Sequence, residues 1–324
     1  MDKSGHLKIW VAALTRRRPQ MLARLLESWG ALEVPQNCSL HFLIVENDEV
    51  ETSRSVVEAA QGQLPGPLHY VLETELGIPF GRNRAAREAL EHGGDLLVQM
   101  DDDEQAAPDW LVNLVEGYRA SPARLIGAPL RSQPPKGPLS AWEQFLFDRI
   151  DARYRTKERR ASRLASLDGT DRVTIVTNNW LAELSLFSQD GIWFDETMRF
   201  TGGTDTKFYH TARAKSVPTG WVKDAFVYET IPPERLSFCY QLERGRDQSR
   251  TNYRRKAEAG QTRLVSTVMS IVIKSVATLV LALSVPLTMG RTIVDFARSA
   301  GWVWGRVAGL MGTRSELYRE VTGG

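Results

Sequence analysis

The chain has 324 residues, of which 25% are charged and 42% apolar, and its formal net charge is +2. Such a composition excludes a disordered chain and a protein made of many membrane spans. A charge this close to zero gives no general electrostatic basis for nucleic-acid binding.

One large α/β domain with appendages is the expectation for this length. Cys38 and Cys239 stand alone, without CxxC or Cys/His spacing, so neither a disulfide framework nor a zinc site is expected and a reducing cytosol fits. The polar start, Met1 to His6, runs into an apolar stretch too short for a secretory signal. From residue 7 to about 130, short apolar runs alternate with helical periodicity, the pattern of βαβ units and a mostly parallel sheet. Strands are expected at Leu7–Leu14, Leu40–Val45, Leu68–Leu72, Asp95–Met100 and Arg124–Leu130. The first helix opens at Pro19 and carries Met21, Leu22, Leu25, Leu26 and Trp29 on one stripe; the next are expected at Val50–Gln61, Arg82–His92 and Pro108–Arg119.

Arg131 to Thr170 begins with a Pro/Gly run, Gln133–Pro138, and reads as an insertion of helical character. Its basic cluster, Arg149 to Arg163, has only Tyr154 interleaved, which fits a solvated or membrane-facing helix face and not a nucleic-acid surface. Strands near Val173–Val176 and Ala225–Tyr228 are expected to flank a helix at Thr204–Lys215 and return the chain to the sheet.

After Pro232 and Pro233 a basic helical segment reaches Arg263, followed by the apolar run Leu264–Leu287, whose single charge is Lys274. A bilayer core needs about 20 such residues, so the run is long enough to cross one. Yet Thr267, Ser270, Lys274 and Thr278 fall on one helical face, as in a helix that is bundled or lies in the membrane plane. The tail Arg291–Met311 is amphipathic, with Trp302 and Trp304 suited to a headgroup interface. The chain therefore divides into residues 1–235, an α/β domain, and 236–324, a helical membrane-associated region. Arginines on both sides of the apolar run favour an arrangement that keeps them on the cytoplasmic face, peripheral or monotopic. A helical lid over the protein's own apolar surface is the alternative.

The chemistry concentrates in Asp101-Asp102-Asp103-Glu104, an acidic turn closing a buried strand. Carboxylates at alternate positions, Asp101 and Asp103, can converge on a hard divalent cation such as Mg²⁺ or Mn²⁺, and the ends of parallel strands are where α/β sheets bind ligands. Upstream, Gly77 to Ala86 sets Arg82 and Asn83 at a helix start, where free amides favour anionic groups. Thr15 to Arg18 and Glu46-Asn47-Asp48 bring further polar groups to the same sheet edge. Downstream, Gly202-Gly203-Thr204-Asp205 allows close backbone approach to a carboxylate that is either a reactive group or a helix cap.

Taken in order, these segments resemble family 2 glycosyltransferases of the inverting GT-A type. The opening strand with Thr15 to Arg17, the strand end Glu46-Asn47-Asp48, Gly81-Arg82-Asn83, Asp101-Asp102-Asp103 with Pro108, and Gly202-Gly203-Thr204-Asp205 carry the resemblance, over roughly residues 7 to 245. It implies a Rossmann-like, mostly parallel sheet flanked by helices and a metal-dependent enzyme using a nucleotide-diphosphate sugar, with a UDP-sugar favoured. Thr15, Arg17, Glu46 and Arg82 would bind the nucleotide. Asp101 would meet ribose or the metal's water, Asp103 would bind Mn²⁺ or Mg²⁺, and Asp205 would take the acceptor's proton as catalytic base.

Four places depart from the pattern or read two ways. Glu229 stands where many relatives carry a metal- or phosphate-holding His, and a carboxylate there is a hard oxygen ligand with added charge. Thr204 replaces the usual acidic neighbour of the base. Arg244, with Arg246, resembles the arginine segment that closes over the diphosphate, or belongs to a basic helix drawn to anionic lipid. Trp180, beside Asn178 and Asn179, either stacks on a sugar or fills the core. The acceptor implied is a saccharide, lipid-linked, in cell-envelope or exopolysaccharide synthesis. A catalytically inactive nucleotide-sugar-binding scaffold is the alternative of another class. A dinucleotide-dependent oxidoreductase is disfavoured because Thr15 to Pro19 lacks GxGxxG and is crowded by long side chains.

Overall fold

The computed structural model describes residues 3–166, 173–199, 202–258 and 260–311. The last residues of the expected insertion, 167–170, and the tail beyond 311 lie outside them. Two compact units emerge: one from Met1–Ser132 and Tyr154–Thr230, the other from Gln133–Arg153 and the residues from 231 to 311.

In the first unit, β1 (Leu7–Thr15), α1 (Pro19–Gly30), β2 (Cys38–Glu46), α2 (Arg54–Ala59), β3 (Leu68–Leu72), α3 (Ile78–Glu91) and β4 (Leu96–Asp101) build the βαβ series. A short β5 (Glu104–Ala106), α4 (Trp110–Arg119), β6 (Leu125–Gly127) and β7 (Leu130–Gln133) follow, and α5 (Ala141–Ser166) is a single 26-residue helix shared by the two units. Then come β8 (Asn179–Glu183), α6 (Ser185–Ser188), α7 (Thr204–Ala214), β9 (Thr219–Trp221) and β10 (Val227–Thr230). The main sheet has seven strands in the order β3-β2-β1-β4-β8-β6-β9, and a second has β5-β10-β7. The pairs β2–β3, β1–β2, β1–β4 and β6–β9 are parallel, while β8 runs antiparallel to both neighbours. This is a mixed α/β, GT-A-like layer structure.

Two apolar layers explain why the sheet is buried on both faces. Leu22, Leu25 and Trp29 of α1 and Trp110, Leu111 and Leu114 of α4 pack with Ile9, Val11 and Phe42 on one side. Ala85, Ala86 and Ala89 of α3 and Phe208, Tyr209 and Ala212 of α7 pack with Trp10, Leu43 and Leu97 on the other. Alternate residues of one strand serve opposite layers, which is the period-2 geometry of a strand.

The structure corrects four sequence expectations. Residues 173–176 form no strand; the strand is Asn179–Glu183, fully buried between β4 and β6. The segment 124–130 is broken into β6 and β7, which belong to different sheets, because Pro129 interrupts the run. The helix expected over Val50–Gln61 shrinks to α2, since Thr52 and Ser53 bind Glu46 instead of extending the helix. The helix expected from Arg82 begins at Ile78, where Pro79 fits the first turn, so Arg82 and Asn83 sit one turn inside it.

In the second unit, α8 (Phe238–Glu258), α9 (Leu264–Leu287) and α10 (Ile293–Leu310) pack with the start of α5. Phe145 of α5 meets the turn at Gly290, and Arg153 pairs with Asp295. Backbones of α8 and α10 touch: a methyl group on Gly301 or Gly305 would run into the carbonyl oxygens of Leu242 and Arg246.

Candidate active site

Strand register puts the candidate residues on one edge. Thr15 pairs with Glu46, Glu46 with Leu72, and Leu14 with Asp101, so the ends of β1, β2 and β4 finish level. The three aspartates after β4 then diverge. Asp102 is buried and turns toward β1, accepting from the Thr15 hydroxyl at 2.9 Å and from Arg18 at 3.0 Å. Asp101 turns the other way, 3.8 Å from the Arg82 guanidinium. Its side chain is 48% exposed. The surrounding protein still excludes enough bulk water, with Asp102, Asp205 and Glu229 adding negative charge against Arg82, to push its carboxyl up to about 6.

Arg82 links the end of β4 to the start of α7. One terminal nitrogen donates to the Thr204 hydroxyl at 3.1 Å, at the first residue of α7, and another faces Asp101. Asp205 is therefore held near Asp101, and its charge acts on that carboxyl. It is not the helix cap: Gly203 is, with φ +93, a left-handed conformation natural to glycine, while Asp205 accepts from the Thr206 amide at 2.7 Å.

The small sheet adds two more carboxylates. Glu104 of β5 lies directly across from Glu229 of β10, both buried. Glu104 accepts the Asp101 amide at 2.9 Å, and Glu229 accepts the Tyr154 hydroxyl at 2.7 Å. Burial, then the charges of Asp101, Asp103 and Glu229, raise the Glu104 carboxyl well above its usual range. Asp103 is half-buried between these groups in the chain.

Among the described residues, no three carboxylate, imidazole or thiolate side chains form a set that could hold a metal ion unaided. What is present is an acidic cluster of hard oxygen donors in which burial first, and then the neighbouring carboxylates, raise Asp101 despite Arg82 and raise Glu104 as well. That set fits a divalent cation that draws its other ligands from a diphosphate and water, the usual habit of Mg²⁺ sites.

The nucleotide candidates separate into two kinds. Glu46 is buried and its oxygens accept from the amides and hydroxyls of Thr52 and Ser53 and from the Tyr70 hydroxyl. Burial alone would raise its carboxyl, but these hydrogen bonds outweigh it and hold it below the ordinary value. Glu46 thus anchors the loop after β2, and Thr15 has its hydroxyl committed to Asp102. Arg17 is half-exposed, with φ +54, and forks onto Asp48 at 2.5 and 3.0 Å. Asp48, which the sequence reading did not single out, is the carboxylate that Arg17 meets.

Asn83 is buried and serves as a brace, bonding Phe194 through both its carbonyl and its amide and reaching Glu196. Trp180 resolves as core: it is 1% exposed, packs edge-on against Phe194 and Phe208, and donates to Gln99 at 3.1 Å. Arg244 belongs to the second unit, on α8, where it donates to the Tyr240 hydroxyl at 3.2 Å. Glu104 and Tyr154 escaped the sequence reading. Glu104 was visible only as the fourth member of an acidic run, and Tyr154 as the lone aromatic in the basic cluster.

Residues 6–248 match the family model described as glycosyltransferase like family 2. The chain is 28% identical over 253 residues to the succinoglycan biosynthesis protein ExoM of Rhizobium meliloti (strain 1021), covering 78% of this chain and 76% of that protein. Among solved structures it resembles the mannosyltransferase PcManGT from Pyrobaculum calidifontis in complex with GDP-Man and Mn²⁺, with TM-score 0.65 and 15% identity over 97% and 90% of the two chains. It also resembles S. aureus TarS 1–349 in complex with UDP-GlcNAc, with TM-score 0.51 and 14% identity over 94% and 91%.

Proposed function

The chain belongs to glycosyltransferase-like family 2, and from that premise we propose that it is an inverting, metal-dependent transferase. It moves a sugar from a nucleotide diphosphate, UDP favoured, to a hydroxyl of a lipid-linked saccharide in exopolysaccharide assembly at the cytoplasmic face of the bacterial inner membrane. The exopolysaccharide setting is supported by the succinoglycan relative, and a nucleotide-sugar donor by the two structural relatives, one in complex with GDP-Man and Mn²⁺ and the other with UDP-GlcNAc.

One observation carries the chemistry: Arg82 stands between Asp101 and the start of the helix that bears Asp205, so the two carboxylates lie close enough for one charge to act on the other. The division of labour follows. Arg17, half-exposed at the end of β1 and held by the buried Asp48, would bind the base and ribose, with Thr15 and Glu46 keeping the ends of β1 and β2 rigid. Asp101 would meet the ribose or a cation's water, and Asp103 and Glu229 would hold Mn²⁺ or Mg²⁺. When bound, that ion supplies positive charge against the departing diphosphate. Asp205 takes the proton from the acceptor hydroxyl while its oxygen bonds to the anomeric carbon, and the bond to the diphosphate oxygen breaks on the opposite face. A single displacement inverts the configuration.

Replacing Asp205 with Asn should lower transfer by about 10²- to 10⁴-fold, the worth of a general base, while nucleotide titration stays within a factor of two to three. Unchanged turnover would remove the base assignment. A wild-type protein that binds nucleotide sugar with Mn²⁺ and transfers nothing would establish the inactive scaffold instead.

A further inference from the structure

We propose that α9 is an in-plane membrane anchor: it lies flat at the boundary between headgroups and acyl chains of an anionic bilayer, with both ends on the protein's side. This holds whether or not the transfer reading does, because it uses only the second unit.

The amphipathicity of α9 is inside out for a helix in water. Its apolar residues Val265, Met269, Val272, Ile273, Leu279 and Leu283 are exposed. Its polar edge is covered: Thr267 is buried, and Ser270, Lys274, Thr278 and Ser284 are partly so. Thr278 meets Ser299 of α10 at 2.8 Å, and Ser284 meets Thr292 at 2.9 Å. Polar contacts inside and hydrocarbon outside are what a lipid environment selects, because water drives the reverse. The 24-residue helix, roughly 36 Å long at the usual rise, presents an apolar strip far larger than a water-soluble monomer leaves open.

Length alone would allow a span, since a 24-residue apolar helix with an 18-residue stretch of mean hydropathy 2.2 is long enough. The packing argues otherwise. The contacts Thr278–Ser299 and Ser284–Thr292 run α9 antiparallel along α10. In turn α10 runs parallel to α8, with Phe238 against Phe296, Gln241 bonded to Arg298, and Arg246 over Trp304. Nine of the 21 residues of α8 are charged. Helices joined side by side share a depth, so standing α9 across a bilayer would carry those charges into hydrocarbon, at a cost of several kcal/mol for each central one.

Lying flat, the same layer is coherent. Exposed Arg263 and Arg291 bracket α9 and would meet anionic headgroups from one side. Trp142, half-exposed and stacked on Phe145 beside the α9–α10 turn, and Trp304 supply interfacial aromatics. A second copy of the chain would not need that basic rim.

The test uses the full chain and sealed vesicles of phosphatidylethanolamine and phosphatidylglycerol. In a Cys38→Ala, Cys239→Ser background, nitroxide labels are placed by Val265→Cys, Val276→Cys and Leu287→Cys. The expected result is that the protein floats with the vesicles and all three labels sit at one shallow depth, about 5–10 Å below the headgroups. Impermeant maleimide reaches positions 265 and 287 from the same side. A deep label at 276 with the ends on opposite faces would overturn the proposal. So would failure to float, or a lipid-free dimer that buries all three positions. Leu279→Glu should weaken vesicle partition at least 10-fold with an unchanged melting curve; if that variant does not fold, the label depths decide alone.

Discussion

The two units obey one rule toward two different surroundings. In the α/β unit the apolar side chains are inside, and negative charge gathers at the end of β4 and the start of α7, at Asp101, Asp103 and Asp205. In the helical unit the order along α9 is reversed, with threonine, serine and lysine covered and valine and leucine open. The comparison teaches that burial should be read as a match to whatever solvent is outside. The first unit matches water, and the second matches the bilayer edge proposed for α9.

Three changes would break or sharpen that contrast. The largest effect is expected at the acidic cleft, where Asp103→Ala should cut Mn²⁺-dependent transfer about 100-fold or more, as loss of a cation's charge stabilisation requires. Titrating nucleotide with and without Mn²⁺ measures it, and identical Mn²⁺ dependence in variant and wild type would separate the cleft from metal use. Next is Gly301→Leu, which forces α10 off the Leu242 carbonyl and should cost about 2 kcal/mol by overpacking. Denaturant unfolding followed at Trp302 or Trp304 in detergent would show it, with nucleotide binding by the first unit unchanged.

The smallest effect concerns a stack at the other end of the first unit's strands. His41 stacks on Trp10 at 4.9 Å and meets His69 at 3.2 Å, with His92 close by. Burial, then neighbouring positive charge from Lys8 and the other imidazoles, lowers His41; burial, then His92, lowers His69. The unfolded chain therefore takes up these protons first as pH falls below about 6.5. Stability from these groups is complete above that value and is lost until their folded-state values are passed. Thermal melts between pH 7.5 and 5 should decline, and His69→Phe should flatten the decline. A slope unchanged in the variant would remove the stack as its source.

Much of the sheet was legible because β1, β2 and β4 are continuous apolar runs, which only a strand buried on both faces needs. β8 was not, because Asn-Trp-Leu-Ala-Glu looks like a loop. Its Asn179 is buried only because Pro129 and Ala225 accept its amide and Trp110 donates to its carbonyl, all supplied by distant segments. The same holds for the candidate site. The order of acidic and glycine motifs could be read along the chain, but not the opposite turns of Asp101 and Asp102, which depend on Arg82 and on Thr15 with Arg18. Glu46 illustrates the limit most plainly: an acidic strand end looks like a ligand until Thr52, Ser53 and Tyr70 are seen to occupy it.

The inward polar edge of α9 also bears on how a water-soluble form would be engineered. Trimming residues 264–287 would strip Ser299 and Thr292 of their partners and bare the flank of α10, trading one sticky surface for another. Recolouring is the sounder route: acidic or lysine side chains at Val272, Leu279 and Leu283 change only the open strip and leave the three-helix stack intact.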